Sequence, residues 1–378
     1  MGGNDVLGFI QRAKPYMAVV WLQCGYAGMN IIATIALNKG MSHYVLVVYR
    51  HVIAMAVIAP FAIVFERKIR PKMTLSTFFK ILGLGLLEPV IDQNLYYTSL
   101  KMTSASFSSA LTNVLPALTF LLACIFRMEK VNLKKAPGVA KVMGTLVTVA
   151  GAMVMTLCKG PVLDLMGSKR KISGEGHTGE VVKKEWMKGS LMLTAGCLCW
   201  ACFIILQAFT LRSYPAELSL TALICLAGAI EGAVVGLVME RGNMEVWSIG
   251  WDTKLLTVVY AGIVCSGIAY YVQGVVMKTR GPVFISAFSP LSMIIVAVLG
   301  SFILSEQIFL GGVIGAIIIV IGLYSVVWGK SKDYKVSTSI TELPEVGTDS
   351  KHQKKNTVEL ISIDVPPPDQ MTVMNPSS

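Results

Sequence analysis

Charged residues are scarce in this chain, and their scarcity argues against most soluble folds. Only 15% of the 378 residues are Asp, Glu, Lys or Arg, whereas 54% are hydrophobic and the mean hydropathy is +0.65. A soluble domain carries about 25% charged residues. The charges are also clustered, so long stretches of sequence contain almost none. This composition predicts an integral membrane protein.

The residues that usually build metal centres and catalytic centres are few or scattered. The four histidines, at positions 43, 51, 177 and 352, form no cluster, and the run CLCWAC at 197–202 has no histidine nearby. The one GKS tripeptide, at 329–331, has Tyr324 where a nucleotide-binding P-loop requires glycine. We therefore expect no enzyme activity, no metal ion, no cofactor and no step driven by ATP.

Ten mostly apolar runs of about 20 residues are present, and each is long enough to cross roughly 30 Å of hydrocarbon as a helix. The runs cover residues 15–36, 44–65, 78–99, 104–126, 138–157, 188–209, 216–238, 254–275, 283–303 and 307–328. The first run is too long to be a cleavable signal peptide. The sequence therefore predicts an all-α membrane protein with ten transmembrane helices.

The net charge of +11 indicates membrane sidedness rather than nucleic-acid binding, because Lys and Arg accumulate in cytosolic loops. With a cytosolic N-terminus, the inner segments of the first half carry twelve basic residues and the outer loops carry two. The loop at 158–187 opposes this bias with six basic residues, but the first helices usually decide the orientation. We predict that both termini face the cytosol. We expect the lipid bilayer as a partner, we prefer the plasma membrane to the vacuolar membrane, and we leave the oligomeric state open.

Parts of the second half repeat the first half at a nearly constant spacing. Tyr96-Tyr97 matches Tyr270-Tyr271 and Pro116 matches Pro290 at one common offset, and Gly144 and Gly151 match Gly315 and Gly322 at a slightly shorter one. The matches fit a duplicated unit of five helices. Because five is odd, the second copy must cross the membrane upside down. Inverted repeats of this kind are typical of secondary transporters, which bind their substrate near the midplane.

The predicted organisation follows from these boundaries. It consists of a cytosolic N-terminus at 1–14, a first repeat at 15–157, a connecting loop at 158–187, a second repeat at 188–328 and a disordered cytosolic tail at 329–378.

The stretch LLEPVIDQNLYY, residues 86–97, places acids in the middle of the third span. Glu88 lies about 15 Å from the cytosolic end of that span, near the midplane. An acid there costs about 2.5–3.5 kcal/mol on insertion, so it must face protein or water. Asp92 and Tyr96 follow on the same helix face, and Pro89 frees a backbone carbonyl. We predict that these acids line a substrate cavity, and the alternative role for Glu88 or Asp92 is that of a proton carrier.

Polar residues in other spans complete the predicted cavity. The full set of predicted substrate-binding residues is Glu88, Asp92, Asn113, Tyr96, Asn30, Gln23, Gln207, Tyr270, Tyr271 and Gln273. Hydrogen bonding between helices is the alternative role for the glutamines and for Asn30. Arg50 lies about 9 Å from the outer end of its span, and we assign it a structural role because a long basic side chain can reach the interface or pair with an acid.

Several motifs resemble the plant nodulin-21-type, EamA-like transporters of the drug/metabolite transporter superfamily. They are QCGYAGMNII (23–32), YRH (49–51), DQNLYY (92–97), NVLPALTF (113–120), KGP (159–161), SYPAELSLTA (213–222), YYVQGVVMKTRGPVF (270–284) and LGSFILSE (299–306). This family includes the "usually multiple acids move in and out" transporters and the Walls-are-thin protein. The resemblance extends in collinear order from about residue 15 to 332.

The resemblance implies ten helices in two inverted EamA repeats and transport without ATP hydrolysis. It implies bidirectional movement of amino acids, or of auxin in the Walls-are-thin branch. We therefore predict a secondary transporter that imports and exports amino acids. Transport of auxin or another small organic acid is the alternative, and a channel or a multipass receptor is the less favoured one.

Overall fold

The structure, a computed structural model, describes residues 3–102, 112, 114–129, 131–157, 162–163, 179–303 and 308–341. Its regular elements are helical except for one antiparallel pair of two-residue strands, β1 (Val162–Leu163) and β2 (Ile308–Phe309). One compact unit ends at Asp333, and a second unit begins at Tyr334. The predicted all-helical class is confirmed, with this strand pair as a small addition.

The described helices follow the predicted order of spans. The first half contains α1 (Gly3–Asn38), α2 (His43–Phe65), α3 (Leu75–Gly85), a first π-helical segment (Leu86–Asp92), α4 (Gln93–Met102), α5 (Leu115–Ile125) and α6 (Ala136–Leu157). The second half contains α7 (Gly179–Ser213), α8 (Glu217–Met239), a 3-10 turn (Met244–Trp247), α9 (Thr253–Tyr260), a second π-helical segment (Ala261–Ile268), α10 (Ala269–Arg280), α11 (Pro282–Ala287), α12 (Ser289–Ile303) and α13 (Leu310–Thr341). Helix α7 begins before the predicted span at 188, and α13 continues beyond its predicted end at 328.

Six helices in the described part are long and apolar enough to cross a membrane, which supports a multi-pass integral membrane protein. They are Ala13–Asn38, His43–Phe65, Met187–Ser213, Glu217–Met239, Thr253–Arg280 and Val313–Lys332. Shorter apolar helices occupy Leu115–Ile125, Ala136–Gly151 and Pro282–Val296. The predicted spans at 78–99, 104–126, 138–157 and 283–303 are not among the six, and they stay predictions.

Helices α2 and α8 pack side by side in opposite directions, and both contain 23 residues. At the end of α2, the Glu66 carboxylate accepts hydrogen bonds from the backbone N–H groups of Leu218 and Ser219, at 2.9 and 2.6 Å. At the other end of the pair, the N-cap residue Ser42 donates a 2.5 Å hydrogen bond to Glu240. Glu66 and Glu240 are equivalent positions of the sequence repeat, at the same offset as the two tyrosine pairs. Each helix thus makes an equivalent contact at the start of the other.

The glycines that match in sequence also meet in space, between α6 and α13. A Cβ atom added at Gly144 would lie 2.8 Å from the carbonyl oxygen of Gly322, and one added at Gly151 would lie 3.0 Å from that of Gly315. The two backbones are therefore too close to admit a side chain at these positions. The first glycine of each helix contacts the second glycine of the other, so this contact is also reciprocal.

The third and the eighth predicted spans both widen into a π-helical segment near their middle. The N–H of Gln93 bonds to the carbonyl of Glu88, and the N–H of Ala269 bonds to that of Val264, five residues back instead of four. Pro89 explains the first segment because it has no N–H to donate. In the second segment Gly262 packs against helix α2, where an added Cβ would lie 2.7 Å from the carbonyl oxygen of Arg50.

Candidate functional site

A cavity of about 120 Å³ lies between residues of the two halves of the chain. Its charged lining residues, Arg50, Glu88 and Asp92, all come from the first half. The second half contributes apolar and small polar side chains, which include Leu193, Cys197, Trp200, Cys265, Ser289, Ser292, Met293 and Val296. The site therefore has one charged wall and one largely uncharged wall.

Four of the residues predicted to bind substrate line this cavity: Asn30, Glu88, Asp92 and Tyr96. They project from three different segments, α1, the first π segment and α4, which the fold brings together. In the sequence, the depth of Glu88 within its span identified the site, and Asp92 and Tyr96 followed from their place on the same helix face. Asn30 was identified as a polar residue in the first span.

The other predicted residues lie outside the cavity lining. Gln207 and Gln273 bond to each other, with Nε2 of Gln273 donating to Oε1 of Gln207 at 2.7 Å, which is the inter-helix role considered for them above. Gln23 is buried and Tyr271 is half-buried. Tyr270 is also outside the lining, but its hydroxyl donates to Oε2 of Glu88. Asn113 lies outside the described residues.

Glu88 and Arg50 are connected through the amide of Gln93. The Gln93 Nε2 atom donates to Oε1 of Glu88 at 2.8 Å, and Nη1 of Arg50 donates to Oε1 of Gln93 at 3.0 Å. On its other side, Nε of Arg50 donates to the hydroxyl of Ser266 at 2.8 Å. Both carboxylate oxygens of Glu88 thus have a donor, because Tyr270 contacts the second one.

Asp92 differs from Glu88 in its surroundings. Its side chain is buried against the backbone of α7, where a Cβ added at Gly196 would lie 3.0 Å from Oδ1. Within the described part of the chain, no group donates a hydrogen bond to the Asp92 carboxylate. No basic group of that part lies within ion-pair distance of it either. Asp92 therefore presents an acid to the cavity that still has capacity to bind a cation or a donor.

Several lining residues were not predicted from the sequence, among them Tyr26, Arg50, Gln93, Tyr97, Thr112 and Trp200. Arg50 was assigned a structural role, yet it is buried and reaches the cavity. The same rule that identified Glu88, an ionisable group deep in a span, would have identified it. Tyr26 lies between Gln23 and Asn30 on one helix face, which was a usable signal.

Among the described residues, no group of three or more His, Cys, Asp or Glu side chains comes together to hold a metal ion.

The chain is similar to known proteins over most of its length. The sequence profile of the EamA-like transporter family matches twice, at residues 16–157 and 187–328. Two Arabidopsis thaliana proteins, WAT1-related protein At2g37460 and WAT1-related protein At2g39510, are each 60% identical to it. The alignments cover 88% and 87% of this chain, and 87% and 88% of those proteins.

A solved structure shares the fold. This crystal structure of a protein superposes with a TM-score of 0.60 at 20% identity, over 82% of this chain and 98% of the other. The two profile matches begin at positions 16 and 187, which is the offset that separates Gly144 from Gly315 in the glycine repeat. On these grounds the chain belongs to the EamA-like transporter family of membrane transporters and is related to the plant WAT1-related proteins.

Proposed function

We propose that this protein is a secondary transporter of small amino acids, which it binds as zwitterions in the central cavity. The observation that carries this proposal is the presence of two opposite charges in one cavity, the Asp92 carboxylate and the Arg50 guanidinium. Asp92 has no partner in the described part of the chain, and no acid of that part lies within ion-pair distance of Arg50. An amino acid would place its ammonium group at Asp92 and its carboxylate at Arg50.

The size of the cavity favours a small solute. A cavity of about 150 Å³ in another protein holds one benzene molecule, so the 120 Å³ found here has room for about six non-hydrogen atoms. Amino acids such as glycine and alanine are of this size, whereas the indole ring of auxin with its acid side chain is much larger. Among the alternatives the cavity therefore favours a small amino acid.

A small organic acid is the second candidate, because Arg50 by itself provides a binding group for a carboxylate. The aromatic rings of Tyr26 and Trp200, whose centroids are 6.2 Å apart, line the cavity and are compatible with an apolar or aromatic group. This candidate makes no use of Asp92. Dependence of transport on the acid at position 92 therefore separates the two candidates.

The mode of transport that we propose is alternating access by two inverted five-helix repeats, with both termini in the cytosol and the protein in the plasma membrane. The reciprocal contacts between α2 and α8 and between α6 and α13 support this arrangement, because a twofold axis in the membrane plane produces such pairs. The P-loop pattern does not occur in the sequence. We therefore propose facilitated movement in both directions, following the substrate gradient.

Uptake of labelled alanine into proteoliposomes tests the proposal, with Asp92→Asn as the informative variant. Loss of a buried partner for the ammonium group costs about 2 kcal/mol or more, so we expect apparent affinity to fall by roughly thirtyfold or more. Asp252→Asn is the matched control, since Asp252 caps α9 outside the cavity through Lys254 N–H and asparagine caps equally well. Equal uptake by wild type, Asp92→Asn and Asp252→Asn would contradict the proposal.

The same liposomes separate a substrate-binding acid from a proton carrier. If Glu88 or Asp92 carries a proton, its amide variant loses net uptake but still exchanges internal for external substrate. If the acid binds substrate, exchange and net uptake are lost together. We expect joint loss for Asp92→Asn.

A further inference from the structure

A row of hydrogen bonds crosses the charged wall of the cavity and has a neutral amide at its centre. Tyr270 donates to Glu88, Gln93 donates to Glu88 at 2.8 Å, Arg50 donates to Gln93 at 3.0 Å and Arg50 donates to Ser266 at 2.8 Å. Glu88 and Arg50 have opposite charges and both are more than nine-tenths buried. Even so, they form no direct ion pair in this structure, because the Gln93 amide occupies the position between them.

A carboxylate and a guanidinium in a buried cavity would ordinarily pair with two parallel hydrogen bonds, because charge-assisted bonds are strong where water is excluded. Such a pair would take two of the N–H donors of Arg50 and offset its charge toward a ligand. A primary amide can accept from Arg50 through its oxygen and donate to Glu88 through its nitrogen at the same time. Gln93 therefore satisfies both charged groups while keeping them apart.

The π-helical segment is what makes this bridge geometrically available. In a regular α-helix, side chains three or four residues apart are neighbours, and residues five apart point in different directions. Glu88 and Gln93 are five apart, yet their side chains bond, because the extra residue of the π segment brings them to one face. The first π-helical segment thus allows the Gln93 amide to lie between the charged groups of Glu88 and Arg50.

We propose that Gln93 is a positioning residue that keeps Arg50 free of Glu88, so that the guanidinium binds the carboxylate of the substrate and gives the transporter its preference for solutes that carry one. This inference rests on the proposed function and adds the residue that sets selectivity. In the described part of the chain, Nη2 of Arg50 has no hydrogen-bond partner, and Arg50 lines the cavity. The substrate carboxylate takes that place.

The test compares ligands that differ only in the carboxylate. Purified protein is heated with alanine or with alaninamide, which keeps the ammonium group but has a neutral amide in place of the carboxylate, and the dissociation constant of each is obtained from ligand-induced stabilisation. For the wild type we expect alanine to bind at least about tenfold more tightly. Gln93→Glu gives Arg50 a direct carboxylate partner, so we expect this ratio to fall to about one.

A charge-swapped double variant, Glu88→Gln with Gln93→Glu, is the control for net charge. It contains the same side-chain types as the wild type and has the same total charge, but its carboxylate is next to Arg50. We expect the alanine-to-alaninamide ratio to fall by about tenfold in this variant too. Gln93→Asn, which shortens the bridge without adding charge, should lower the ratio as well, and it covers the case in which Gln93→Glu does not fold.

The outcomes distinguish the inference from the function on which it rests. A wild-type ratio in the double variant, or equal loss of affinity for both ligands in every folded variant, would overturn the positioning role. A wild-type protein that binds alanine no better than alaninamide would overturn it as well. If propionate stabilises the wild type but alanine does not, the amino-acid proposal fails. The role of Gln93 then stands if propionate binding is lost in the swapped variant.

Discussion

Two acids four residues apart on one face of the third span have different surroundings. Tyr270 and Gln93 each donate a hydrogen bond to one carboxylate oxygen of Glu88, whereas Asp92 has no such partner in the described residues. We therefore expect Glu88 to stabilise the charged wall and Asp92 to be the acid that binds a ligand. The sequence alone does not separate these roles, because both residues are acids deep in the same span and on the same helix face.

The first prediction separates these roles by stability and by ligand response. Glu88→Gln cannot accept from both donors as the carboxylate does, so we expect a loss of about 1–3 kcal/mol in stability. Asp92→Asn removes no hydrogen bond seen in the described structure, so its melting temperature should stay close to that of the wild type. In detergent, added alanine should then stabilise the wild type but not Asp92→Asn. A large drop in melting temperature for Asp92→Asn alone would reverse the assignment.

The site residues that could be predicted are those for which the position in a single regular helix was sufficient. Glu88 was identified because an acid near the midplane is costly in any helix. Asp92 and Tyr96 were identified because they follow on the same helix face, and Asn30 because it is a polar residue in another span. Gln93 was missed because its contact with Glu88 needs a π-helical segment, and α-helical spacing puts the two side chains on different faces. The partner of Arg50 could not be predicted, because Ser266 is distant in sequence and reaches it only in the folded protein.

At the scale of elements, glycines fix how closely the helices approach. Gly228 and Gly232 lie one turn apart on α8. A Cβ added at Gly228 would lie 2.5 Å from Cβ of Pro89 in the first π segment. One added at Gly232 would be 3.6 Å from its nearest neighbour, Val48, an ordinary contact distance. The sequence showed both glycines but gave no way to tell which one packs against the proline ring.

The second prediction uses this pair of glycines. Gly228→Ala forces α8 away from the rigid ring of Pro89, and we expect it to cost about 1–3 kcal/mol in stability and to reduce transport, because the first π segment carries Glu88 and Asp92. Gly232→Ala is the matched control, and it should be nearly neutral. Melting temperature and alanine uptake measure both effects. If the two variants are equally stable, the proposed close packing at Pro89 is wrong.

A buried ionic cluster joins the elements at one end of the fold. Lys141 of α6 contacts Glu129 at 2.8 Å, and Lys330 of α13 contacts the other oxygen of the same carboxylate. Glu129 follows the end of α5, outside the helices. Burial alone would raise the pKa of its carboxyl, but the ammonium groups of Lys330 and Lys141 outweigh burial and lower it. The cluster therefore ties a first-half loop to the last helix.

The third prediction concerns the pH dependence of this cluster. A carboxyl whose pKa is lower in the folded state stabilises the protein above its unfolded pKa of about 4.3, and this contribution is lost as the pH falls through the folded pKa. Wild type should therefore lose stability more steeply than Glu129→Gln below about pH 4.5. At neutral pH, Glu129→Gln should be less stable by about 3–5 kcal/mol. Parallel curves of melting temperature against pH for the two proteins would contradict this role.

For the whole molecule, the internal repeat could be predicted from the sequence, and its geometry explains the reciprocal contacts. Glu66 at the end of α2 contacts the start of α8, and Glu240 at the end of α8 contacts the start of α2. Gly144 and Gly151 contact Gly322 and Gly315. The offsets between matching positions showed which residues of the two halves are equivalent, but they did not show which residues are in contact. Which helices of a duplicated unit meet at the axis depends on packing between distant segments, and a single sequence does not state that.

The fourth prediction tests the sidedness of the proposed inverted repeats. Ser42 contacts Glu240 and Lys39 contacts Thr253, so the loops after α1 and after α8 lie on one face. Glu66 contacts Ser219 and Lys80 contacts Ser213, so the loops after α2 and after α7 lie on the other. One exposed residue in or next to each loop serves as a labelling position: Lys39, Asn243, Lys68 and Arg212.

Single cysteine substitutions at these four positions are labelled in intact cells with a thiol reagent that does not cross the membrane, with the wild-type chain as background. With a cytosolic N-terminus, Lys39→Cys and Asn243→Cys should react from outside, and Lys68→Cys and Arg212→Cys should react only after the cells are permeabilised. Reaction of Lys39→Cys and Asn243→Cys from opposite sides would exclude the antiparallel packing of α2 and α8. Reaction of Lys68→Cys and Arg212→Cys from outside, with the other two protected, would keep that packing and reverse the orientation, because the basic residues of the first half would then lie on the outer surface.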